Sequence, residues 1–174
     1  QAIKFRPEVL QTLLTHSGDL DMFRMVYPFS PTLVQTLLAV SSVLQRERTA
    51  LKIMLMLLVE KRDTLKVGDL IPCGDLWDMV AHGEEAFSDV MRVHFENAKR
   101  LYHGTLRPLL EELNEVSVEH DRPRAAGDPE VARKLLRFDN DDRLVKTLLL
   151  SALVPEVEPL KNLTASRLAA LNHG

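Results

Sequence analysis

The sequence predicts an all-α fold on two observations: apolar residues recur at spacings of three and four through most of the chain, and prolines and glycines fall where helices would start or stop. A third agrees with them. The stretch from Leu65 to Leu76 lacks a helical stripe and is punctuated by Gly68, Pro72 and Gly74, so it reads as a connector with at most a few extended residues.

The first predicted helix runs from Arg6 to His16, with Pro7 in its first turn, Val9, Leu10, Leu13 and Leu14 on one face, and Ser17-Gly18 as its stop. A short turn or helix around Asp21-Met22-Phe23 leads to Tyr27-Pro28-Phe29-Ser30-Pro31. There Ser30 can cap, and Pro31 can open, a helix that carries Leu33, Leu37, Val40 and Leu44 on one face. The next helix spans about Arg48 to Arg62. Asp75 is a candidate cap for a short helix through Val80, interrupted at Gly83.

From Glu84 to about Glu119 the pattern is helical throughout, with Phe87, Val90, Met91, Phe95, Ala98, Leu101 and Tyr102 marking one face. This is predicted to be the longest element. Pro108 lacks a backbone donor and clashes with the preceding turn, so a kink or division is expected near Thr105 to Arg107. His120 to Asp128, with Pro123, Gly127 and several charges, reads as a mobile loop and a domain boundary. Beyond it come a helix over Pro129 to Arg137, with Val131, Leu135 and Leu136 inward, and a second helix led by Asp139-Asn140-Asp141-Asp142 and ending at Val154. Acidic residues at a helix start complement its dipole. Pro155 and Pro159 frame a turn, and Thr164 caps a last helix carrying Leu168 and Leu171. The predicted organisation is a helical bundle over 1–63, a connector and long helix over 64–120, a flexible loop over 121–128 and a helical segment over 129–174.

Composition narrows the function classes. With 45% apolar and 27% charged residues the chain is globular, and no apolar run approaches the ~18 residues that would span a bilayer. The single cysteine, Cys73, cannot form an internal disulfide, and the start carries no basic-then-apolar signal segment, so a reducing cytoplasm is expected. Gln1 in place of Met, and a helix stop at Leu171-Asn172-His173-Gly174 with nothing after it, read as ends cut from a longer protein. Net charge is −3, but residues 65–128 carry 13 acidic against 7 basic groups. An acidic centre argues against non-specific binding to a phosphate backbone.

No glycine-rich loop ending in Lys-Ser/Thr is present to cradle phosphates, and no dinucleotide fingerprint follows a strand. No histidine sits in a strong metal spacing, so no metal site is predicted. Cys73 between Pro72 and Gly74 reads as a half-buried loop thiol rather than a nucleophile, and Glu84-Glu85 and Glu111-Glu112 as solvated helix surface. No catalytic residue is therefore assigned.

Gln45-Arg46-Glu47-Arg48 is the stretch that carries information. On a helix, Arg48 falls in register with Leu51, Leu55 and Leu58, the expected buried stripe, and a cation there must be paired or must look out at the leading end. Arg46 lies just before or at that start. Together they could bind phosphate oxygens at a helix N-terminus. Alternatively, Arg48 pairs with a carboxylate such as Glu47 or one from another helix.

Tyr27-Pro28-Phe29-Ser30-Pro31-Thr32-Leu33-Val34, followed by Gln45-Arg46-Glu47-Arg48-Thr49-Ala50-Leu51-Lys52, resembles the lid region of the large P-loop ATPases of bacterial BREX-type phage-resistance systems, and most of all the PglY-like branch. The tail from Asp141 to Lys146 and from Asn162 to Gly174 is similar to the same family. The resemblance implies a helical lid that follows an AAA-like nucleotide-binding core. It would make Arg48 the sensor-2-like arginine reaching toward the terminal phosphates, and Arg46 its neighbour or an intersubunit contact. It also implies ATP and Mg for the parent protein but no cofactor in this chain, whose partners would be the missing P-loop core and other subunits or defence-system proteins. The last two helices have the order that opens a winged-helix or helix-turn-helix unit, although their connection exceeds the 3–4 residues of a compact one. An independent helical adaptor is the alternative function. A DNA-binding module is a weaker one, because the last helix offers only Arg167 as a fixed positive charge.

Overall fold

A computed structural model describes residues 19–43, 48–81 and 89–173. The predicted first helix, Leu44 to Glu47, and the start of the predicted long helix lie outside them. The described residues are all-α: α1 (Asp19–Val26), α2 (Pro31–Val43), α3 (Arg48–Lys61), α4 (Leu76–Ala81), α5 (Asp89–Leu101), α6 (Arg107–Asn114), α7 (Val118–Asp121), α8 (Pro129–Leu153) and α9 (Ala165–Leu171), with short 3-10 turns between some of them.

Local signals place the helix ends well. Ser30 Oγ accepts from the Leu33 N–H at 3.1 Å and Pro31 is the first residue of α2. Leu33, Leu37 and Val40 are all buried, as their spacing predicts. The connector supplies one pair of extended contacts, in which the Ser30 N–H donates to Ile71 O at 3.0 Å and the Ile71 N–H to Pro28 O at 2.8 Å. This isolated parallel bridge pins the connector beside the start of α2.

The face of α3 differs from expectation. Leu51 is 74% and Leu55 61% exposed, while Ile53 and Leu57 are buried and Ala50, Met54 and Leu58 half-buried. Apolar residues occupy both sides of this helix, so its own periodicity does not choose a face; α2 and α4, which pack against it, do.

Asp75 is also not a cap. It closes a 3-10 turn, Cys73–Asp75, that runs directly into α4, and its buried carboxylate accepts from Lys61 and Arg143 instead. Gly74 in this turn lies hard against α8. A Cβ placed on it would come 2.6 Å from Arg143 O, 2.8 Å from Asn172 Oδ1 and 3.0 Å from Thr147 Oγ1.

The disruption expected from Pro108 takes the form of a π-turn, Tyr102–Leu106, between α5 and α6. In a regular helix the Pro108 ring would press on the carbonyl of Gly104, and the wider turn, closed by Arg107 N–H to Tyr102 O, relieves that clash. Phe95, Ala98 and Tyr102 face inward as predicted, whereas Leu101 is largely exposed. The helix ends at Asn114 rather than near Glu119. Glu115 adopts a left-handed conformation (φ 54°), the Val116 N–H returns to Glu111 O at 2.9 Å, and Val116 and Val118 turn into the interior.

The 120–128 stretch, read as a mobile loop, takes the form of the end of α7, a 3-10 turn (Arg122–Arg124) and a further turn, with Ala125 packed inward and Arg122 bound to Asp139. The two helices expected beyond it are a single one, α8, of 25 residues, the longest α-helix among the described residues. Its cap is Asp128, whose Oδ1 accepts from Glu130 N–H at 3.0 Å and Val131 N–H at 3.2 Å. Asp139-Asn140-Asp141-Asp142 therefore lies mid-helix. Its carboxylates are satisfied sideways: Asp139 by Arg122, Asp141 by Asn114, Asp142 by Tyr102 and Lys146. Thr164 caps α9 as predicted, accepting from Arg167 N–H at 3.3 Å.

Two apolar clusters result. The larger joins α2, α3, α4, α5, the middle and end of α8 and α9 around Trp77, Phe95, Leu57 and Leu150; the smaller gathers Leu110, Val116, Val118, Leu135 and Phe138. α8 runs through both, and its polar middle lies between them.

Candidate functional site

Arg48 is the first residue of α3, the helix start at which an anion site was expected. Arg46 lies outside the described residues. Of the stripe expected to follow Arg48, Leu51 and Leu55 are exposed and Leu58 is half-buried, and Val59 extends the exposed row.

The structure brings together a second group of ionic residues that the sequence reading did not assemble. Asp75, at the end of its 3-10 turn, receives Lys61 Nζ from the last residue of α3 at 2.9 Å and Arg143 Nε from α8 at 2.8 Å. One α-helical turn along α8, Lys146 Nζ lies 2.6 Å from Asp142 Oδ2 and 2.8 Å from Asp78 Oδ2, on α4. The Tyr102 hydroxyl donates to Asp142 Oδ1 at 2.7 Å, and the Lys146 ammonium sits 5.5 Å from the centre of the Tyr102 ring. Burial opposes the charge on Lys146, but Asp78 and Asp142 outweigh it and raise its pKa. Burial and the hydrogen bond to Asp142 likewise raise that of Tyr102, which stays a neutral donor. These groups clasp α4, the π-turn and α8, a structural role. The sequence did hold a signal for them: Asp142 and Lys146 fall in phase with Leu135, Phe138, Leu149 and Leu153, so two charges of opposite sign interrupt an apolar stripe one turn apart.

Cys73 is completely buried, with its Sγ 3.5 Å from Thr36 Oγ1, and desolvation pushes its thiol up to about 12. A nucleophile needs the opposite shift. Two outcomes are expected. The folded chain resists a disulfide thiol reagent that labels it once denatured. Stability linked to this thiol is fully present below its unfolded pKa near ~8.5 and is lost as pH rises toward about 12, so Cys73→Ala flattens that part of the pH–stability curve. Labelling of the native chain at the denatured rate would show that the thiol is accessible.

Among the described residues, no group of three or more His, Cys, Asp or Glu side chains could hold a metal ion, and no helix is long and apolar enough to cross a membrane. Arg167, the positive charge of the last helix, turns back on its own chain and donates through Nη2 to Pro159 O at 3.3 Å.

A family model described as "BREX System ATPase PglY protein 2nd domain" matches residues 1–174, the whole chain. No solved structure matches it.

Proposed function

Since the chain belongs to the family of second domains of PglY ATPases of BREX systems, we propose that it is a non-catalytic helical module of a cytoplasmic phage-defence ATPase, a nucleotide-responsive lid that works through contacts with the rest of that protein. The observation that carries this reading is the outward face of α3. It runs through Leu51, Leu55 and Val59, an aliphatic strip that solvent alone would not favour on a helix of 14 residues. Docked against the nucleotide-binding core, that strip would set the start of α3, and with it Arg48, beside the terminal phosphates of ATP. A helix N-terminus suits an anion there, and a guanidinium adds charge-assisted hydrogen bonds. Arg46 would be its neighbour or a contact to the next subunit. ATP and its Mg belong to the core in this reading, and the module supplies reach, not chemistry. Other defence-system proteins are the further partners it would meet.

The test is Arg48→Ala in the parent ATPase. Loss of a charge-assisted hydrogen bond to phosphate lowers ATP turnover by about ten- to a hundredfold, while the circular dichroism of the 174-residue chain carrying the same change is unaltered. Undiminished turnover removes the role assigned to Arg48. A collapse of the helical signal would instead make the residue structural.

A further inference from the structure

Where the end of α3 meets α8, the Asp75 clasp leaves a cavity of about 190 Å3, lined on its polar side by Lys61, Asp69, Asp75 and Arg143, with Leu65 and Ile71 among its apolar walls. One water takes ~30 Å3 in the liquid, so the space exceeds what a single bridging water would fill.

The hydrogen-bonding capacity around it is unbalanced. Both oxygens of Asp75 are engaged, one by each cation. Arg143 uses only Nε of its five N–H donors, and the Lys61 ammonium uses one of three. Six cationic donors are thus without a partner among the described residues. Opposite them, Asp69 Oδ2 accepts from the Lys66 N–H at 2.9 Å, which leaves Asp69 Oδ1 as the one facing carboxylate oxygen with no such partner. Arg143 and Lys61 are a quarter exposed, so the cavity is reached from solvent.

We propose that this cavity binds a small oxyanion of the phosphate class, held by the Nη atoms of Arg143 and by the Lys61 ammonium. The planar guanidinium already has its Nε fixed by Asp75, so its outer edge is oriented before any anion arrives, and phosphate oxygens match that edge in a two-bond fork. Lys61 ends α3, so an anion shared with Arg143 would tie the end of α3 to α8. This site lies at the opposite end of α3 from Arg48 and is independent of the role proposed for that residue.

The experiment is a calorimetric titration of the 174-residue chain with inorganic phosphate in buffer of matched ionic strength. One phosphate per chain is expected. Arg143→Gln weakens it at least about tenfold, as loss of charge-assisted hydrogen bonds requires, and Asp69→Asn tightens it by removing the facing carboxylate, an effect that a purely structural clasp would not produce. Arg100→Gln, at an exposed cation elsewhere, changes nothing. If Arg143→Gln fails to fold by circular dichroism, Lys61→Gln takes its place. ATP that displaces the bound phosphate identifies a nucleotide's terminal phosphate as an occupant, and ATP that does not identifies the free ion; either upholds the site. Absence of saturable phosphate binding, or binding that survives both Arg143→Gln and Lys61→Gln at full strength, overturns it.

Discussion

Lys146→Met is expected to lower the free energy of unfolding by about 3–5 kcal/mol, the cost of leaving a buried charge without its partner. Lys146 is 8% exposed, and its Nζ is the cation shared by Asp142 and Asp78. Methionine fills nearly the same volume, so packing is kept and the change isolates the charge. Asp142 is equally buried and would retain only the Tyr102 hydroxyl, which hydrogen-bonds its carboxylate but brings no compensating charge. Adding Asp142→Asn removes the stranded charge while leaving an acceptor for Tyr102, and the double variant should recover part of the loss. Urea denaturation followed by circular dichroism reads this as a fall in midpoint at unchanged slope. A Lys146→Met chain within about 1 kcal/mol of the parent, the value of an exposed ion pair, would show that water already reaches the cluster. The pH dependence has a definite sign. The folded-state pKa values of Lys146 and Tyr102 are both raised, so their contribution is fully present below the unfolded values near ~10 and is lost as pH climbs past them.

Trp77→Ala is the other large effect, with an expected loss of about 3–5 kcal/mol. The indole is fully buried where α4 meets the larger apolar cluster, and its ring stands edge to face against Tyr102 with centroids 5.8 Å apart. Truncation removes the apolar area and leaves a cavity beside Tyr102 and the Lys146 cluster. Trp77→Phe keeps an aromatic partner for Tyr102 and should lose markedly less. Since Trp77 is the only tryptophan, the alanine variant is followed by far-ultraviolet circular dichroism rather than fluorescence. Equal losses for alanine and phenylalanine would mean that filling the space contributes little there.

The two variants act on one seam, and that seam marks where sequence reasoning weakened. Signals that act within a turn of backbone were legible. Ser30 and Pro31 open α2, Pro108 breaks the helix before it, Thr164 caps α9, and Leu33, Leu37 and Val40 lie inward. Acidic residues were harder to read. A carboxylate at a helix start and one satisfied from a neighbouring helix look alike in one dimension, which is why Asp75 suggested a cap and Asp139-Asn140-Asp141-Asp142 a helix start. The actual cap of α8, Asp128 before Pro129, has the stronger local signature, because its side chain and the proline both serve the first turn. In α3 the helix start was legible and the buried face was not.

By itself, then, the sequence determined an all-α chain, most of its helix boundaries and its kinship with the BREX PglY ATPases, a match that spans every residue. Each of these rests on hydrogen bonds and sterics confined to a few neighbouring residues, or on a motif read as a string. Only the tertiary structure decided that Leu51 and Leu55 face outward, that α8 runs unbroken through its acidic quartet, and that Asp75 joins Lys61 to Arg143. An α-helix that is apolar on both sides, or a carboxylate with several possible donors, has no preferred partner until other elements pack against it. The choice is made by burial and by charge pairing between segments as much as 68 residues apart.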